Sequence, residues 1–112
     1  MVRRASKDGN HDVIAARFRD LGCTVVETHR AGIPGWPDLA VGCVGVTQLV
    51  EIKNPDTSYG RRGVNPNQTA FARDWRGGRV WVVRSQDEAT ALVQNWRRNR
   101  SSRVEPTKGI PT

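Results

Sequence analysis

Within Gln48-Leu49-Val50-Glu51-Ile52-Lys53, the last four residues alternate apolar and charged with the period of two that marks a β-strand. Successive strand side chains point to opposite faces, so Leu49, Glu51 and Lys53 share one face while Val50 and Ile52 share the other. A chain holding this strand must supply neighbours to pair with it, and must place an acid and a base side by side.

The neighbours are legible on both sides. Ile14, Phe18 and Leu21 recur at i, i+4 and i+7 before Gly22, which predicts a short amphipathic helix from about His11 to Leu21. Thr24 to Thr28 is β-branched except for Glu27, and predicts a strand. The stretch Arg30 to Pro37, with Gly32, Pro34, Gly35 and Pro37, predicts a loop. Asp38 to Val41 and Thr47 to Lys53 are two further strands, joined through Gly42-Cys43-Val44-Gly45 as a hairpin turn. Asn54 to Asn65 is a polar, basic loop without periodicity. Asn65 can cap a helix with Pro66 at its first position, and Gln68, Phe71, Ala72 and Trp75 then fall on one face before Gly77-Gly78. Arg79 to Arg84 is a strand around Trp81-Val82-Val83. Ser85-Gln86-Asp87-Glu88 forms a capping box for a last helix carrying Ala89, Leu92, Val93 and Trp96. The expected class is α/β, a central mixed sheet in the order α-β-β-β-α-β followed by a C-terminal helix. One domain is expected over residues 1–98, its core at about 10–97, with a polar, disordered tail over 99–112.

At 112 residues there is room for one hydrophobic core, and 37% hydrophobic with 26% charged residues suits a globular chain. The net charge of +7 favours a polyanionic partner, nucleic acid first. That excess is uneven: residues 1–53 hold 7 basic and 6 acidic side chains, whereas 54–112 hold 11 and 5, so the second half should carry most phosphate contacts. Cys23 and Cys43 form no CxxC pair and read as reduced, small core residues, so no zinc site is expected from them. No apolar run is long enough to span a bilayer, and the first residues lack a signal peptide's apolar core. A soluble protein of the cytoplasm is expected, the host cytoplasm if the chain is phage-encoded.

If the two middle strands pair, Asp38 at the start of the first can lie across from Glu51, where one hard cation bridges both carboxylates. The Ile52 backbone carbonyl could add an oxygen ligand. Mg²⁺ takes one or two carboxylates and fills its remaining positions with water and phosphate oxygens, which matches this donor set. Lys53 would orient the attacking water or stabilise the transition state of phosphodiester cleavage.

The run Gly35-Trp36-Pro37-Asp38, then Glu51-Ile52-Lys53, then Gln68 in the following helix resembles the PD-(D/E)XK nuclease superfamily. Within it, the chain looks most like the small virus-type replication-repair (VRR-NUC) nucleases and Holliday-junction resolvases, over roughly residues 10 to 97. The resemblance implies the restriction-endonuclease-like core and Mg²⁺ or Mn²⁺ bound by Asp38 and Glu51. It also implies a catalytic Lys53 and a supporting Gln68. It further implies an endodeoxyribonuclease acting on branched or structured DNA in phage replication, recombination or repair, and a homodimer. Where such proteins often carry a glutamate early in helix one, this chain has Asn10-His11-Asp12, which are accessory candidates.

An E-x-K on a strand is by itself usually a solvated ion pair, and the combination with Pro-Asp and Gln68 is what makes it specific. Gln68 reads equally well as the capping-box partner of Asn65. His11 and His29 read as ordinary surface or loop residues. Trp75, Trp81 and Trp96 sit at core spacings. Trp36 could stack on a base or simply pack, while Tyr59, Arg61, Arg62 and Arg73 are candidates for DNA contact. The rival reading is a basic nucleic-acid-binding protein without catalysis.

Overall fold

Helix α1 spans His11–Asp20 and ends where expected, Gly22 taking φ 93° so that the chain can turn back into the sheet. The computed structural model describes residues 9–56 and 65–102. After α1 come β1 (Thr24–Glu27), a short 3₁₀ turn (His29–Ala31), β2 (Leu39–Cys43) and β3 (Val46–Ile52). They are followed by α2 (Pro66–Asp74), β4 (Val80–Val83) and α3 (Gln86–Ser102). The four strands form one sheet in the order β1-β2-β3-β4. The first three pair antiparallel and β4 joins β3 in parallel, giving the mixed sheet the element order predicted.

The hairpin is tighter than its sequence suggests. Cys43 pairs with Val46, so the turn is Val44-Gly45 alone, and Gly42 and Cys43 belong to β2. Both turn residues have positive φ, 49° for Val44 and 80° for Gly45, as a two-residue hairpin matched to strand twist requires. Valine tolerates that region poorly, and sequence reasoning had no cue to put it there.

Alternation assigns the two faces of the sheet. Leu39, Val41, Cys43, Val50, Ile52 and Val83 point to the side covered by Ile14, Ala15 and Phe18 of α1 and by Ala89, Val93 and Trp96 of α3. Phe18 stacks on Trp96 with ring centroids 6.0 Å apart, joining the two helices over the sheet. Cys23 and Cys43 are free and buried there; burial and a hydrogen bond with Cys43 push the Cys23 thiol up to about 12. The helix α3 continues to Ser102, past Asn99 where the polar tail was expected to begin. Asn99 Nδ2 donates to Asn95 Oδ1 at 3.1 Å, one turn back.

The opposite face behaves differently. Helix α2 has no fully buried side chain, and of the stripe expected to point inward, Ala72 and Trp75 are exposed. Phe71 instead packs with Trp36 and Trp75 in an aromatic cluster, at 5.2 Å and 5.3 Å between centroids. Trp75, 40% exposed, therefore caps a surface cluster and is not part of the core. Between α2 and the sheet lies a cavity of about 180 Å³, lined by Gly35, Glu51, Gln68, Phe71, Val80 and Val82 among others. Among the described residues, no helix is long and apolar enough to cross a membrane.

Candidate active site

Pro37 decides how the strands part at the end of the sheet. The register sets Leu39 opposite Val50, and extending it by one residue puts Asp38 opposite Glu51 with both side chains on the α2 face. One step further, Ile52 would face Pro37, which has no N–H to offer the Ile52 carbonyl and whose own carbonyl accepts from Thr28 Oγ1. The Ile52 N–H donates to the Asp38 carboxylate, to Oδ2 at 2.8 Å. Lys53 N donates to Val83 O on the other side, so by alternation the Ile52 carbonyl also lies on the Asp38 side of β3. Thr28 Oγ1 donates to Pro37 O at 2.9 Å, and the amides of Thr28 and His29 both donate to Asp38 O. Asp38 is thus fixed through its carbonyl on one side and its carboxylate on the other.

Glu51 and Lys53 are 4% and 1% exposed, depths at which charged groups are seen only with partners. Lys53 Nζ lies 3.6 Å from Glu51 Oε2. The same oxygen accepts a short hydrogen bond from Gln68 Nε2. The other end of that amide caps α2: Gln68 Oε1 accepts from Asn65 N at 3.0 Å while Gln68 N donates to Asn65 Oδ1 at 2.9 Å. The two readings of Gln68 offered by the sequence are therefore not alternatives. A primary amide has an acceptor end and a donor end, and here one starts the helix while the other holds the site.

Burial raises the Asp38 pKa, and the opposing pulls of the Ile52 amide, His11, a Glu51 hydrogen bond and His29 only partly offset it. A site that resists negative charge, yet assembles two carboxylates and a backbone carbonyl, has the hard-oxygen chemistry that a divalent cation satisfies. The residues present fit Mg²⁺ or Mn²⁺.

Of the accessory candidates, Asn10 donates through Nδ2 to Lys53 O at 3.2 Å and to Arg84 O at 2.9 Å, tying α1 to the ends of β3 and β4. Asp12 is exposed. His11 is only 1% exposed, which corrects its reading as an ordinary surface residue; it contacts Glu27, and His29 is close by. The clue in the sequence was Glu27, the one residue in its strand that is not β-branched.

Trp36 is half-buried against Phe71 and Trp75. Arg73 is exposed and pairs with its neighbour Asp74 at 2.9 Å. Tyr59, Arg61 and Arg62 lie outside the described residues.

No family model matches the chain, and no curated protein matches it. A solved structure described as a VRR_NUC domain is similar to it, with a TM-score of 0.58 and 29% identity over 76% of this chain and 90% of that one. The mixed sheet, its flanking helices and this likeness together identify the fold: the chain has a VRR-NUC-type, PD-(D/E)XK-like nuclease fold.

Proposed function

We propose that the chain is a metal-dependent endodeoxyribonuclease in which Asp38, Glu51 and the Ile52 carbonyl hold Mg²⁺ or Mn²⁺, and Lys53 and Gln68 complete the site. The observation that carries this is the arrangement at Asp38. Its carboxylate is pinned by the Ile52 amide at 2.8 Å, across from a buried Glu51 whose Oε2 lies 3.6 Å from Lys53 Nζ. A buried acid-base pair with no role beyond packing would be costly, since apolar replacements of similar volume are often as stable or more so.

When bound, the ion would neutralise charge developing on the phosphoryl oxygens and favour ionisation of water near neutral pH. The chain's own groups do the rest. Asp38 and Glu51 fix the position of that charge relative to the sheet. Lys53 Nζ, buried and anchored on Glu51, is placed to orient the attacking water and to donate to the phosphoryl oxygen as its charge grows. Gln68 keeps Glu51 in one rotamer.

Among the described residues no helix is set apart for reading base edges, and phosphate contacts carry no sequence information, which favours recognition of DNA shape. Branched or structured DNA, cut by a homodimer in replication, recombination or repair, is the substrate class we assign. Arg73 on α2, with Tyr59, Arg61 and Arg62 in the preceding segment, are the assigned phosphate contacts.

The test is nicking of plasmid and of four-way-junction DNA with Mg²⁺ or Mn²⁺, against an EDTA control. Wild type is expected to cut, and Asp38→Ala and Lys53→Ala to lose at least about 100-fold in rate, as removal of a transition-state stabilising group does. A wild type that binds but cuts no DNA form, or variants that cut equally well, would replace this reading with that of a non-catalytic DNA-binding protein.

A further inference from the structure

We propose that His11, Glu27 and His29 form a second divalent-cation site, built from imidazole and carboxylate donors, on the helix side of the sheet. It stands independently of the nuclease reading, because its three donors lie outside the Asp38–Glu51 set.

The three residues come from three elements that the fold brings to one point. His11 opens α1. Glu27 closes β1 and pairs with Leu39, so it shares the buried face of Leu39 and points toward α1. His29 opens the 3₁₀ turn, its backbone held by the Asp38 carbonyl. One ligand atom from each residue lies within 4.8 Å of the others. His11 Nε2 is 3.0 Å and His29 Nδ1 3.8 Å from the same oxygen, Glu27 Oε1. A tetrahedral ion with bonds of about 2.1 Å needs donors roughly 3.4 Å apart, so these two separations bracket the requirement.

The ring planes meet at 67° with centroids 4.8 Å apart, edge to face, an arrangement that lets two nitrogens converge without the rings clashing. Arg19 Nη2 stands 3.8 Å from Glu27 Oε2, which leaves Oε1 as the oxygen turned to both imidazoles. Two histidines and a glutamate, with a further position open to water, is a donor set suited to Zn²⁺, Mn²⁺ or Co²⁺, whereas Mg²⁺ prefers oxygen. The bland alternative is a polar staple between α1 and β1. A staple needs only the His11–Glu27 hydrogen bond, whereas here a second imidazole nitrogen faces the same oxygen at 3.8 Å.

The site can be read directly, because the chain has two histidines and both belong to it. The full chain, metal-stripped and without a histidine tag, is titrated with Zn²⁺ in excess Mg²⁺, which occupies the oxygen site, and the imidazole nitrogens are followed by ¹⁵N NMR. Both imidazoles are expected to shift together and saturate at one equivalent, in wild type and in Glu51→Gln alike. His29→Gln and Glu27→Gln are expected to weaken binding beyond the roughly 10–100-fold that loss of an outer partner causes. Imidazole signals that do not saturate in wild type overturn the proposal, as does affinity unchanged in both ligand variants. Saturation abolished by Glu51→Gln but not by His29→Gln would assign the Zn²⁺ to the acidic pair and equally overturn it. A nuclease that is inactive yet binds Zn²⁺ in this way would refute the function proposed above and leave this site standing.

Discussion

The double use of Gln68 makes a quantitative prediction. Asn65→Ala removes only the cap, the Oδ1 acceptor of Gln68 N at 2.9 Å, and should cost about 1 kcal/mol. Gln68→Ala removes the Oε1 acceptor of Asn65 N, worth about 0.5–1 kcal/mol, and the Nε2 hydrogen bond to the buried Glu51, worth about 1.5–3 kcal/mol. Its cost is therefore about 2–4 kcal/mol. Because α2 has no fully buried side chain, much of this loss should fall on local detachment of the helix and not on global unfolding. Hydrogen exchange of the α2 amides is the suitable assay: Asn65→Ala should accelerate it about fivefold, and Gln68→Ala by about 30-fold or more. Nicking activity should separate the two further, with Asn65→Ala near wild type and Gln68→Ala reduced about 10–100-fold, as for partners that orient a metal ligand. Equal effects of the two substitutions on both exchange and activity would show that Gln68 is a cap alone, and would refute its assignment to the site.

Asp38→Asn should stabilise the fold at neutral pH while abolishing cleavage. The folded-state pKa of Asp38 is raised, so its contribution to stability is fully present below the ordinary carboxylate range and is lost as pH rises through the folded value. In EDTA, the variant's advantage should shrink toward acid pH; an advantage independent of pH, or a less stable variant at pH 7, contradicts the burial argument. Phe18→Ala, at a fully buried position stacked on Trp96, should cost about 3–5 kcal/mol in urea unfolding, and a cost under about 1 kcal/mol would mean the α1–α3 core is misassigned. Gly35 has φ 80°, and a Cβ there would stand 2.2 Å from Asn67 O in the first turn of α2. Gly35→Ala should therefore loosen α2 and accelerate its amide exchange, and unchanged exchange would place α2 elsewhere.

The alternation in Val50 to Lys53 determined on its own that Glu51 and Lys53 share a face, because strand geometry leaves no other outcome for that pattern. The element order followed from glycine and proline stops and from helical spacing, which are local signals. What only the tertiary structure decided depends on contacts between distant segments. The Ile52 carbonyl meets no N–H on Pro37, fifteen residues earlier, while the Ile52 amide reaches the Asp38 carboxylate. The stripe of α2 read as inward-facing because periodicity marks a face without saying what covers it, and here Trp36 and a cavity stand where a core would be. His11 and His29 looked ordinary because their shared partner, Glu27, is reached only when α1 lies across β1. Sequence fixes which way a side chain points along its own element, and packing decides what it meets there.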